Sequence, residues 1–368
     1  MALCELLKAG SKTFIFVKKL HLRFLNYLAM QTKNTLLITI FFTTLFLSCT
    51  KNEEVGKNPD IVRDVYVSGM ESSGKELVAK YWKNGTAVSL TDGTKNAKAF
   101  SIFVSGNDVY AAGQESYVAK YWKNGTAVTV GSGLADSNIN AITISGGDVY
   151  LAGFDGNSKV AKYWKNGTAV NLTYGLKNAE ATSIFVVGND VYVAGNESDG
   201  ANSNYIAKYW KNGTAVNLTD GSKNADAKSI AVSGSDVYVV GYDGYVNGAD
   251  ISKSPAKYWK NGSAISLGSK EGVAVSIFIS GTDVYIAGAE TNGTNAVAKY
   301  WKNGTEVILS DGSKNEVANA IFVIGNDVFV AGTEENGKNT IVKYWKNGTA
   351  TNLTDGSTIA YPRSIFVK

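Results

Sequence analysis

Apolar and polar residues alternate in short runs through most of this chain, and the runs come in sets of four. Ser101-Ile-Phe-Val104, Val109-Tyr-Ala-Ala112, Val118-Ala-Lys-Tyr-Trp122 and Thr126-Ala-Val-Thr-Val130 make one such set. Runs of four or five residues with period two, rich in Val, Ile, Tyr and Thr, predict β-strands, here named a, b, c and d in order. Gly106-Asn107 between a and b, and Asn124-Gly125 between c and d, predict two-residue hairpin turns whose glycines supply positive φ angles. Each set is therefore expected to form a four-stranded antiparallel sheet.

The set recurs along the chain. Tryptophans stand at 82, 122, 164, 210, 259, 301 and 345, each within Lys-Tyr-Trp-Lys-Asn-Gly, at spacings of 40, 42, 46, 49, 42 and 44. Asp-Val-Tyr or Asp-Val-Phe begins at Asp64, Asp108, Asp148, Asp190, Asp236, Asp283 and Asp327. Periods of this length with four short strands indicate propeller blades. The strand-a motif starts at Ser101, Ala141, Ser183, Ser229, Ser276, Ala320 and Ser364, so the first unit lacks it and the last residues supply it. An open ring would leave sheet edges unpaired. The reading is all-β: a seven-bladed β-propeller of four-stranded antiparallel blades over residues 61–368, closed by the C-terminal strand joining the N-terminal blade.

A tyrosine and glycine closing strand b, followed by an aromatic strand c, resemble the kelch repeat across residues 61–368. Kelch units carry two consecutive glycines after strand b; Ser68-Gly69, Ala112-Gly113 and Val240-Gly241 here carry one. The resemblance implies a propeller and its blade phase, and no particular activity, because propellers host many.

The segment before the repeats has another character. Lys33, an apolar run from Thr35 to Leu47 and Ser48-Cys49 read as a secretory signal, too short to span a bilayer. Cys49 after a small residue resembles the lipobox of bacterial lipoproteins, although Phe46 and Leu47 depart from it. That implies a leader and signal peptide over 1–48, with Met30 as an alternative start, and a lipidated tether over 49–60. The expected location is the bacterial cell envelope, as an outer-membrane lipoprotein facing the periplasm or the surface. Glu53-Glu54 resembles a surface-export signal.

The net charge of +4 is carried by that leader, since the chain from Cys49 onward holds 30 basic and 31 acidic residues. A near-neutral body gives a nucleic acid no concentrated basic surface. Cys4 and Cys49 lie outside the repeats, which excludes a disulfide framework and a thiolate metal site there. The only histidine, His21, is in the leader, so Ser-His-Asp, Cys-His and His-ligated metal chemistry are absent from the repeats. The reading leans against an enzyme, and no cofactor, metal or oligomeric partner is expected.

Strand direction places the a-b and c-d turns on one uniform rim and the variable b-c and d-a connections on the other, where binding is expected. On that second rim stand Glu71, Glu115, Asp155, Glu197, Asp243, Glu290 and Glu334, each two residues after the strand-b glycine. This carboxylate ring suits a hard cation or a cationic ligand, or simply salt bridges to Lys95, Lys177, Lys223, Lys270 and Lys314 in the d-a connections. A variable position before strand a reads Phe100, Asn140, Thr182, Lys228, Val275, Asn319 and Arg363. Arg363 joins the ligand-face candidates; with Arg63 it would equally serve to hold the chain ends together. The repeated Trp is assigned to packing, and the Asp of Asp-Val-Tyr to turn chemistry. The Asn-Gly-Thr sequons are explained by the turn.

These readings favour a lipid-anchored binding or scaffold protein that uses its variable rim to hold a protein or glycan. The alternatives are a multivalent lectin with sites at the repeated aromatic residues, or a carboxylate-dependent glycan-active enzyme.

Overall fold

The computed structural model describes residues 63–133, 136–200, 204–245 and 254–368. Cys49, its tether and the leader lie outside the described residues. Among those described, all regular structure is β-strand, arranged as five four-stranded antiparallel sheets and one of seven strands. In the seven-stranded sheet, Ser263–Ser280 pairs first with Pro255–Lys260 and then, through residues 272–280, with Asp283–Thr291. One strand thus serves as d of one set and a of the next. The connection there lacks the Thr-Asp-Gly-Thr turn seen at Thr91–Thr94, and the strand continues through a register shift in which Lys257 faces Ser266 and Pro255 faces Glu271.

Sheets follow the a-b-c-d order that alternation predicts. One set has Ala97–Ser105, Asp108–Glu115, Val118–Lys123 and Thr126–Thr129. In the first sheet, Ala360–Val367 pairs antiparallel with Val65–Ser72, which pairs with Leu77–Lys83. Asp64 and Lys368 exchange both backbone hydrogen bonds at 3.0 Å. The a strands touch one another in succession, and Ala360–Val367 touches both Glu316–Ile324 and Ala97–Ser105.

Every a strand is longer than its sequence motif and is broken by a β-bulge. Ala99 pairs with Gly113 and Ser101 with Ala112, so Phe100 is the extra residue. The same slip falls at Asn140, Thr182, Lys228, Val275, Asn319 and Arg363. The variable position expected just before strand a is therefore inside it. Alternation runs through Ala97-Lys98-Ala99, changes phase at the bulge and resumes at Ser101, so a strict period-two reading starts the strand too late. The bulge also explains the strand-b glycine: a β-carbon on Gly113 would stand 1.9 Å from the Lys98 carbonyl oxygen, and one on Gly153 would stand 1.9 Å from that of Asn138.

Between sheets, tryptophan is the filler. All seven are 0–2% exposed. Trp122 packs with Ala79, Trp164 with Ala112 and Ala119, Trp259 with Ala194 and Ala207, and Trp345 with Ala287 and Ala298 of the preceding set. The Ala-Lys-Tyr-Trp-Lys motif therefore carries both the knob for one neighbour and the slot for the other. Trp82 completes the pattern by packing in one cluster with Ala331 and Val342. Along the inner edges, Ser101 Oγ accepts the Ile142 N–H at 3.2 Å, and Ser276 Oγ accepts that of Ile321 at 3.3 Å. These bonds satisfy edge donors that the sheets leave unpaired.

Candidate functional site

The two rims differ in what they leave available. On the a-b and c-d turn rim, Asn84 and Gly85 both take positive φ, 50° and 86°, the geometry of a type I′ turn. Asn84 Oδ1 accepts the Val65 N–H at 2.8 Å, and its Nδ2 donates to Asp64 at 2.7 Å. Lys83 pairs with the same carboxylate at 2.8 Å and lies over the Tyr66 ring. The repeated Asp thus meets side chains of the opposite turn and not backbone donors. Hydrogen bonds from lysine and asparagine hold Asp64, Asp108, Asp148, Asp236 and Asp283 below the usual carboxylate range. The seven asparagines of the c-d turns, from Asn84 to Asn347, are all committed to these bonds. This rim is uniform and satisfied.

On the opposite rim, each of the seven ring carboxylates meets a lysine, and the partner is the strand-c lysine of its own sheet. Lys80 reaches Glu71 at 2.5 Å, Lys162 reaches Asp155 at 3.1 Å, Lys208 reaches Glu197 at 2.5 Å and Lys299 reaches Glu290 at 2.8 Å. Lys120–Glu115, Lys257–Asp243 and Lys343–Glu334 complete the ring. Of the d-a lysines expected as partners, Lys314 meets Glu334, while Lys177 donates to the Asp199 carbonyl. Register gives the reason: Lys80 lies opposite Gly69, and Glu71 is the diagonal neighbour on the same face. With no side chain on Gly69, the lysine stem crosses to the carboxylate. Among the described residues no group of three or more His, Cys, Asp or Glu is placed to hold a metal ion.

A cleft opens beside Glu71 and Trp82, against Asn352–Ser357, with a volume of about 570 Å³. Its carboxylate is held by Lys80 and by Thr358 Oγ1 at 2.9 Å. The cleft offers space with its charge already engaged.

The bulge residues form the asymmetric part of this rim, because a bulge re-aims one side chain per strand. Asn140 Nδ2 donates to the Ala181 carbonyl at 2.9 Å and Thr182 Oγ1 to that of Ala227 at 2.5 Å, tying one a strand to the next. Lys228 pairs with Asp226, which also accepts from Asn196 at 2.7 Å. Glu180 stands nearby, its carboxyl pushed up by burial. Arg363 sits elsewhere in the series, its Cζ 5.7 Å from the Phe100 ring centroid. Arg63, by contrast, pairs with Asp327 at 3.8 Å and joins the start of the first sheet to its neighbour. Beneath the bulges, Phe278, Phe322, Phe366 and Phe103 meet in succession at 4.8, 5.0 and 4.8 Å between centroids, an aromatic floor on the inner strands.

Reading the sequence alone named Arg363 as a ligand-face candidate but began its strand at Ser364, so Tyr361 and the bulge between them were not seen. The signal was present in the phase change after Ala97-Lys98-Ala99.

No protein-family model matches the chain, and no curated protein matches it. Among solved structures it is similar to the tricorn protease at 8% identity and a TM-score of 0.48, covering 82% of this chain and 36% of that one. It is similar to YjhT at 10% identity and a TM-score of 0.37, covering 70% of this chain and 97% of that one. A GH43_12 protein retrieved from capybara gut metagenome gives 11% identity and a TM-score of 0.30, over 83% and 90% of the two chains. This chain spans about a third of the tricorn protease chain, and none of the three likenesses assigns a residue or an activity to it.

Proposed function

We propose that this chain is a lipid-anchored binding protein built on a closed, seven-bladed, kelch-like β-propeller, with its ligand site at the bulge-bearing rim. Seven tryptophan slots, seven bulges and the pairing of Ala360–Val367 with Val65–Ser72 support the closed ring. Cys49 would carry the anchor of an outer-membrane lipoprotein. The ligand is a protein or a glycan.

One contrast carries the reading. The turn rim repeats the same Asp-Asn-Lys arrangement seven times, whereas the seven bulge positions hold six residue types. A rim whose groups are all mutually satisfied has little to offer a partner; one whose side chains vary from strand to strand has a shaped surface. The lectin alternative loses its basis in the repeated tryptophans, which present no face to a sugar. The carboxylate-dependent enzyme alternative finds the acids of the ring already in salt bridges.

The test is a screen of the full chain against immobilised polysaccharides and envelope proteins, followed by stoichiometry. One equivalent bound per chain, lost on Phe100→Ala or Arg363→Gln and retained in Lys83→Ala, is the expected result. Several equivalents, or binding lost only with Lys83→Ala, would overturn the rim assignment. Cys49→Ala is expected to move the protein from the membrane to the soluble fraction; unchanged fractionation removes the anchor.

A further inference from the structure

Four of the connections that lead into an a strand are built on the same turn. Asp92, Asp220, Asp311 and Asp355 each accept the backbone N–H of the residue two further on, across a glycine whose φ lies between 74° and 82°. Three residues after the aspartate stands a lysine in three of them, Lys95, Lys223 and Lys314, and a threonine, Thr358, in the fourth. Hydrogen bonds from Thr94, Ser222 and Ser313 hold the first three aspartates below the usual carboxylate range, and the charge of the following lysine adds to this. Asp355 is held by Ser357 and makes no ion pair among the described residues.

One of the lysine-bearing connections shows what that lysine does. Glu334 is met at Oε2 by Lys343 of its own strand c and at Oε1 by Lys314, which is also drawn by the charge of Asp311. At the seam of the last and first sheets, Glu71 is met at Oε2 by Lys80 in the same way, but its Oε1 accepts the Thr358 hydroxyl at 2.9 Å. That hydroxyl satisfies the oxygen and brings no charge, and its short stem leaves room. The room is the cleft of about 570 Å³ that Glu71, Asp355 and Ser357 line. Lys80 balances one of the two carboxylates, and one negative charge remains. The repeat thus builds a place for an ammonium group and, at this seam, supplies none.

We propose that this cleft takes the side-chain ammonium of a lysine carried by a partner protein, set between Glu71 Oε1 and Asp355 as Lys314 is set between Glu334 and Asp311. A guanidinium seeks both oxygens of a carboxylate, and Lys80 already holds one of the two on Glu71, so a compact point charge fits better. The next residue favours a protein over an amino sugar. Asn224 and Asn315 follow the lysine in two other connections and accept strand-c N–H groups at 2.9 and 2.8 Å. Ile359 takes that place here and is 39% exposed. An apolar side chain beside a charged cleft suits the mixed surface of a protein, whereas an amino sugar surrounds its ammonium with hydroxyls. The inference goes beyond the rim reading above, since it needs nothing from the bulge residues.

Calorimetric titration of the full chain with a short glycine peptide, blocked at both ends and carrying one lysine, and with its norleucine counterpart tests this. The lysine peptide is expected to bind one per chain and the norleucine peptide at least roughly tenfold more weakly, as loss of a charge-assisted hydrogen bond implies. Asp355→Asn should weaken binding about threefold, the size of an exposed ion pair. Asp311→Asn, at a connection that holds its own lysine, should leave it unchanged. Thr358→Lys should abolish it, because the chain then fills the cleft itself. A thermal melt establishes that Thr358→Lys is folded; if it is not, the two peptides and Asp355→Asn decide. Equal binding of the two peptides, no binding of either, or undiminished binding to a folded Thr358→Lys protein overturns the inference and leaves the bulge-bearing rim to its own screen. Tighter binding of free glucosamine, or of the matching arginine peptide, overturns the lysine assignment.

Discussion

The carbonyl oxygen of Lys98 occupies the space that a β-carbon on Gly113 would need, 1.9 Å away. The contact is backbone on one side and arises from the bulge at Phe100, so no rotamer change relieves it. The same contact recurs at each strand-b glycine, from Tyr361 O against Gly69 to Val317 O against Gly332.

Gly113→Ala should therefore destabilise by about 1–3 kcal/mol or more, the range of overpacking in a core. Gly106→Ala, at a turn with φ 56° and open space around it, should cost about 1–2 kcal/mol through the left-handed backbone alone. Urea denaturation of the two variants beside the parent checks the order; a Gly113→Ala protein as stable as the parent would remove the bulge from the account.

Trp122 lies in the slot formed by Ala79, Ala97, Ala99 and Ala111. Trp122→Ala should cost about 3–5 kcal/mol, and Ala79→Leu, which fills the slot from the other side, about 1–3 kcal/mol. Because knob and slot are in contact, the double variant should depart from the sum of the two. Additivity within experimental error would show that they do not share a site.

Deleting Ser364 to Lys368 removes the partners of Val65, Tyr66, Val67 and Ser68 and the paired bonds between Asp64 and Lys368. Loss of a single sharp unfolding transition is expected in a thermal melt followed by circular dichroism. A truncated chain that melts like the parent would count against joining of the two ends.

The turn-rim aspartates titrate below their ordinary value because lysine and asparagine hydrogen-bond the ionised form. A carboxyl whose folded pKa is depressed contributes stability that is complete above its unfolded pKa and is lost as pH falls through the folded one. Stability should therefore hold from neutral pH down to about pH 5 and fall below about pH 4. Asp108→Asn should lessen that acid-induced drop while lowering stability at pH 7, as read from denaturant midpoints at pH 7 and pH 3. An unchanged acid dependence across several such variants would place the sensitivity elsewhere.

Much of the architecture was legible because its causes are local and repeated. Alternation in Val118–Trp122 and the Asn124-Gly125 turn need only period two and positive φ, and seven copies of each leave little ambiguity in phase. The site was legible only in part. Glu71 and its equivalents were found as a ring, but their partners were sought in the d-a connections, where Lys314 meets Glu334, and not on strand c, since Lys80 becomes a neighbour of Glu71 only through the register across Gly69. Phe100 was placed outside its strand because a bulge breaks the alternation by which strands are read.

From residue order alone came the strands, the hairpin turns, the offset of the terminal motif and the seven-unit count. All of these follow from interactions within a few residues, or from repetition. The folded chain decided which lysine answers which carboxylate, where each bulge turns a side chain inward, and that Arg363 stands against Phe100 with no acid beside it. Those outcomes depend on register and on contacts between residues far apart in the chain, such as Phe100 and Arg363, and a linear pattern carries no measure of such distances.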